Sequence, residues 1–137
     1  MRLTQLHFEA RVLFKLTKQL GNASGYSFDG LKYLLRTQFS ARIEFYGYFW
    51  AMVTLILLNV SWVTLGILTI LFFILIAVEA LNTAIEVIMD RISPEISDTA
   101  KHAKDLGSFA VFCMITVNTV FFIVSILQSR PVQSLLS

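Results

Sequence analysis

The chain has 137 residues, of which 56% are hydrophobic and 15% charged, and a formal net charge of +2. That length allows one domain, the apolar content exceeds what so small a soluble domain can bury, and the weak positive charge argues against a nucleic-acid partner. The segments Phe45–Val78 and Leu106–Gln128 contain no Asp, Glu, Lys, Arg or His, and each provides the roughly 20 apolar residues that a hydrocarbon core requires. A polytopic membrane protein is predicted.

The placement of charge orients it. Arg2, Arg11, Lys15, Lys18, Lys32, Arg36 and Arg42 precede the first apolar run; Arg91, Lys101 and Lys104 lie between the runs; only Arg130 follows. By the positive-inside rule, the N-terminus and the central polar gap are cytoplasmic. Charges interleaved with the early apolar residues do not form a secretory signal pattern. Cys113, the single cysteine, sits in an apolar run and reads as a packing residue.

In chain order, residues 1–38 form surface helices. Leu3, Leu6, Ala10, Leu13, Leu16 and Leu20 recur at steps of three and four with charges between them, which predicts an amphipathic helix in the headgroup region or, alternatively, a partner-binding stripe. Gly21-Asn22-Ala23-Ser24-Gly25 is expected to break it, with Ser24 or Ser27 capping a second surface helix that carries Phe28, Leu31, Leu34 and Leu35. The long apolar run exceeds one ordinary span, and Asn59-Val60-Ser61 interrupts it. Transmembrane helices are therefore expected at 39–58 and 62–89, with Trp62 at the interface. Pro94 stops the second. A cytoplasmic loop at 90–104 and a third span at 105–128 follow, then a short external tail. The fold class is an all-α integral membrane protein with three transmembrane helices.

Glu79, Asn82, Glu86 and Asp90 carry the chemical signal. At about 100° per residue, their spacing keeps all four on one helix face. Glu79 and Glu86 are separated by about 10 Å along the axis, too far to share one metal or proton. Glu79 directly follows Leu75-Ile76-Ala77-Val78, at a depth where an ionised carboxylate needs compensation, and suits a general base. Glu86 and Asp90 lie nearer water, where they can bind a hydrated divalent cation and its phosphate partners; Asp90 also fits a solvated helix end. Lys104 is placed to neutralise polyphosphate. Asp105 reads as a helix-capping acid or a site residue. Ser108 reads as a ligand for a lipid glycerol or as a partner of its own helix backbone. His7 and His102 show no metal-ligand spacing, and neither a P-loop nor a protein-kinase signature is present.

Val78-Glu79-Ala80-Leu81-Asn82-Thr83-Ala84-Ile85-Glu86, Asp90-Arg91-Ile92 and Ala103-Lys104-Asp105-Leu106-Gly107-Ser108 together resemble the signature of the prokaryotic diacylglycerol kinase family. Gly25-Tyr26-Ser27-Phe28-Asp29-Gly30-Leu31 is similar to the family's surface-helix motif, and the resemblance covers about Gly25 to Leu127. It implies a homotrimer in the bacterial cytoplasmic (inner) membrane, with active sites between subunits, that phosphorylates a membrane lipid alcohol with ATP and magnesium. By resemblance, Glu79 is the catalytic base and Glu86 a metal ligand. Tyr26, Asn82, Glu86, Asp90, Glu95, Lys104 and Asp105 belong to the ATP site, and Ser27, Arg42, Glu44, Glu79 and Ser108 to the lipid site.

One departure bears on the metal. Where the family usually has a second metal-binding glutamate, this chain has Gln38, whose carbonyl can coordinate a cation without adding negative charge. A first-helix arginine of the family corresponds to Gln19, beside Lys18. The Lys104–Ser108 segment is nearer the diacylglycerol branch, while Ile92-Ser93-Pro94-Glu95 is also similar to the undecaprenol kinase branch. Diacylglycerol is the expected substrate; undecaprenol kinase activity and a catalytically impaired membrane oligomer are the alternatives.

Overall fold

A computed structural model describes residues 2–93 and 97–136. Helix α1 spans Arg2–Thr37, α2 Phe39–Leu57, α3 Trp62–Ile92, α4 Asp98–Leu127 and α5 Arg130–Leu136; among the described residues there is no strand. The chain divides into two units between Thr37 and Gln38.

The N-terminal unit is the single helix α1, and the expected break at Gly21–Gly25 is overturned. Neither glycine has a positive φ, and a helical glycine costs only about 1 kcal/mol relative to alanine. Two glycines therefore weaken a long helix without ending it. Ser27 is not a cap: its hydroxyl donates to the Ala23 carbonyl at 2.9 Å, one turn back within the helix.

In the second unit, the turn between α2 and α3 falls where the sequence placed it. Asn59 takes φ 52°, a left-handed conformation that asparagine tolerates better than most side chains. Ser61 then caps α3, its hydroxyl oxygen accepting the Thr64 N–H at 3.1 Å. Trp62 follows immediately, 87% exposed.

The polar connection is shorter than 90–104. Helix α3 runs on through Asp90 and Arg91 to Ile92, and α4 begins at Asp98. Ser93 leaves the helical region at φ −130°, ψ 73°, as a residue preceding proline does; Pro94 itself lies outside the described residues. Ser97 caps α4 by accepting the Ala100 N–H at 3.2 Å. The helix that carries the span expected from Asp105 therefore starts two turns earlier, because a Ser-Asp-Thr sequence is a stronger helix start than the first apolar residue. Beyond α4 the short tail carries the seven-residue α5, with Pro131 in its first turn, where no helical N–H is lost.

Helices α3 and α4 are long and apolar enough to cross a membrane. The 19-residue α2 carries Arg42 and Glu44 in its first two turns. Leu55, Leu65 and Leu68 form a small core, joined by Tyr48, Met52, Phe121 and Phe122. Phe72 is stacked on Tyr48 at 4.1 Å and meets Phe45 edge-on at 4.9 Å. Two side-chain bonds tie the helices within this apolar layer. The Tyr48 and Thr69 hydroxyls lie 2.9 Å apart, and the Asn118 amide donates to the Leu71 carbonyl at 3.3 Å. Many large apolar side chains face outward, Phe73, Phe109 and Phe112 among them, which suits hydrocarbon surroundings.

Candidate active site

The buried stripe of α3 starts apolar and turns polar along one face. Leu65, Leu68, Phe72 and Leu75 give way to Glu79, Asn82 and Thr83. The steps of three and four that place apolar residues against a neighbouring helix continue without interruption into the polar set. Polar groups are thereby carried inward by the same periodicity that builds the core.

Glu79 is 3% exposed, and Ser40 in the first turn of α2 donates its hydroxyl to Glu79 Oε1. Glu86, one further turn pair along, is held at both oxygens. Asn82 Nδ2 donates to Oε1 at 3.0 Å and Gln38 Nε2 approaches Oε2 at 3.4 Å. The two glutamates thus have separate polar partners. Near the helix end, Asp90 forms an ion pair with Lys104 of α4.

The remaining expected residues fall in several places. Asp105 is not a cap; it lies two turns inside α4 and pairs with Lys101 at 3.4 Å. Ser108 is exposed on the same helix. Arg42 is exposed at the start of α2, its guanidinium 5.4 Å from the Phe39 ring centroid. Glu44 buries both carboxylate oxygens without a hydrogen-bond partner among the described residues. It lines a mostly apolar cavity of about 390 Å³ with Gly47, Phe72, Leu75 and Asn118. Tyr26 and Ser27 are exposed on α1. Glu95 lies outside the described residues.

Two contributors carried little sequence signal. Ser40 is an ordinary polar residue near a helix start, and only the α2–α3 packing brings it to Glu79. Gly107 permits α4 to pass close to α3, since a Cβ there would overlap Asn82 Oδ1. The Lys104-Asp105-Leu106-Gly107-Ser108 motif contains this glycine, but nothing in its spacing reveals its neighbour.

Among the described residues, no group of three or more His, Cys, Asp or Glu side chains is placed to hold a metal ion alone. The donor set at Glu86 nevertheless fits magnesium delivered with a nucleotide, which needs one or two protein oxygens and takes the rest from phosphate and water. Glu86 would supply the charged donor. The Gln38 amide beside it has a carbonyl oxygen as well as the nitrogen it turns toward Glu86, and the two exchange by a half-rotation.

Residues 25–127 match the family model described as prokaryotic diacylglycerol kinase. A diacylglycerol kinase from Sinorhizobium sp is 42% identical over 104 residues, covering 76% of this chain and 75% of the relative. One from Escherichia coli strain K12 is 35% identical over 98 residues, covering 72% and 80%. One from Pseudomonas aeruginosa is 35% identical over 103 residues, covering 75% and 84%.

Proposed function

The chain belongs to the prokaryotic diacylglycerol kinase family and is a kinase, and from that premise we propose that it transfers the γ-phosphoryl group of ATP to the free hydroxyl of diacylglycerol. The products are phosphatidic acid and ADP. The observation that carries this reading is the polar face of α3. A carboxylate 3% exposed at Glu79 precedes a second at Glu86, which is aligned by Asn82 and Gln38.

Glu79 accepts the proton of the lipid hydroxyl as the new O–P bond forms. The bond from the γ-phosphorus to its bridging oxygen breaks, and ADP departs with that oxygen. Ser40 holds the Glu79 carboxylate in one orientation through its hydroxyl. Burial there keeps water from competing for the phosphoryl group. Glu86, with Gln38, is the proposed magnesium site; magnesium, when bound, neutralises charge on the phosphate oxygens. Lys104 stands at the open end of the same face, beside Asp90, where its charge can meet the polyphosphate. Positioning and charge neutralisation dominate phosphoryl transfer, and these side chains perform both.

We further propose a homotrimer in the bacterial cytoplasmic membrane, with α2 as a third span alongside α3 and α4 and with the N-terminus cytoplasmic. That the relatives are diacylglycerol kinases supports the choice of lipid. The test is purified full-length protein in lipid–detergent micelles with labelled ATP, offered diacylglycerol and undecaprenol separately, with and without magnesium. Label in phosphatidic acid is the expected result. Label only in undecaprenyl phosphate reassigns the substrate; no labelled lipid from folded protein overturns the activity.

A further inference from the structure

Thr83 stands four residues after Glu79 and three before Glu86. At about 1.5 Å per residue, it lies axially between the two carboxylates, within about 60° of both around the helix. The residue is 4% exposed, and its hydroxyl is buried without a hydrogen-bond partner among the described residues. This contrasts with four other threonines along these helices. Thr54, Thr69, Thr116 and Thr119 each donate to the carbonyl four residues back, at 2.8 to 2.9 Å. Such a bond is the ordinary way for a helical threonine to satisfy itself where water is absent. At position 83 the corresponding acceptor is the Glu79 carbonyl, and the hydroxyl does not use it.

A buried hydroxyl without a partner is unfavourable, which points to a group that is present only when substrate is bound. Under the proposed function, the attacking lipid hydroxyl is at Glu79 and the nucleotide's cation at Glu86. The phosphoryl group in transfer must then lie between them, at the level of Thr83. We propose that the Thr83 hydroxyl donates a hydrogen bond to a non-bridging oxygen of that phosphoryl group and steadies the charge it carries during transfer. The inference rests on the kinase reading and adds to it a residue that binds the reacting group.

The experiment compares the full-length protein with Thr83→Val and Thr83→Ser, measuring kcat, KM for each substrate and thermal stability. Valine keeps the shape and removes the hydroxyl; serine keeps the hydroxyl. Thr83→Val is expected to lower kcat by roughly 10- to 100-fold, as loss of one donor to a transition-state oxygen does, with KM for the lipid little changed. Its melting temperature should hold or rise, because an unpartnered buried hydroxyl is removed. Thr83→Ser should restore most of the turnover. A Thr83→Val protein with wild-type kcat overturns the inference while leaving the kinase reading intact. So does a loss of turnover accompanied by a matching loss of stability, which marks a packing role. A wild-type protein that phosphorylates no lipid alcohol overturns both.

Discussion

Gln38, at the junction before α2, turns its side-chain nitrogen to within 3.4 Å of Glu86 Oε2 across 48 positions of sequence. Glu86 Oε1 already accepts the Asn82 amide, so the carboxylate is bracketed by two neutral donors. A second carboxylate at position 38 would repel it unless a cation lay between them.

Gln38→Glu should consequently make the protein more dependent on magnesium in a way that stability reveals. Without the ion, two acids in contact lower the melting temperature; with it, the variant gains more than the wild type. The magnesium concentration for half-maximal activity should fall, by about tenfold for a gain of about 1.4 kcal/mol in cation binding. Identical magnesium titrations for the two proteins would remove Gln38 from the metal site.

Glu79→Gln keeps size and burial while removing the basic oxygen, and Ser40 can still donate to the amide carbonyl. Turnover should fall by about 10²- to 10⁴-fold, the range for loss of a general base, with assembly unchanged by size-exclusion chromatography. Ser40→Ala should have a smaller effect, since it frees the carboxylate to rotate without removing it. Equal losses for the two variants would show that orientation, and not proton acceptance, is what Glu79 contributes.

Gly107→Ala tests the approach of α4 to α3. The added methyl overlaps Asn82 Oδ1, and that oxygen is the end of a side chain able to rotate. Overpacking of this kind costs about 1–3 kcal/mol. The rotation also withdraws the amide that aligns Glu86. Activity should therefore fall further than thermal stability does, and KM for ATP should rise. A variant with normal kinetics would place the Asn82–Glu86 bond outside the working site.

Lys104→Met separates charge neutralisation from structural pairing. The Lys104–Asp90 pair is partly exposed, with side chains 37% and 67% accessible, so its contribution to stability is within about 1 kcal/mol. The expected outcome is a nearly unchanged melting temperature with a large rise in KM for ATP. If Asp90→Asn gives the same kinetics as Lys104→Met, the ion pair itself is the functional unit; if only Lys104→Met is impaired, lysine acts on the nucleotide directly.

The acidic face from Glu79 to Asp90 was legible because helical periodicity translates spacing into a shared face, and the structure carries Glu79 and Asn82 inward on it. The turn at Asn59 was legible for a similarly local reason, a polar interruption in an apolar run. Gly21 and Gly25 misled, since propensity is a weak constraint inside a long helix. Asp105 misled as well: the apolar boundary at Leu106 marks where the hydrophobic segment begins, whereas α4 begins where Ser97 can cap it.

Composition and charge order alone determined that this is a helical membrane protein with acids at the polar end of a long helix, because both follow from the period of one helix and from the solvation of its side chains. The tertiary structure decided what those acids touch. Ser40 reaches Glu79, Gln38 reaches Glu86 and Gly107 admits Asn82 only because α2 and α4 pack against α3 at one particular register. Such contacts join residues tens of positions apart, and close packing between helices is set by the shapes of both surfaces together, which no local pattern in either one contains.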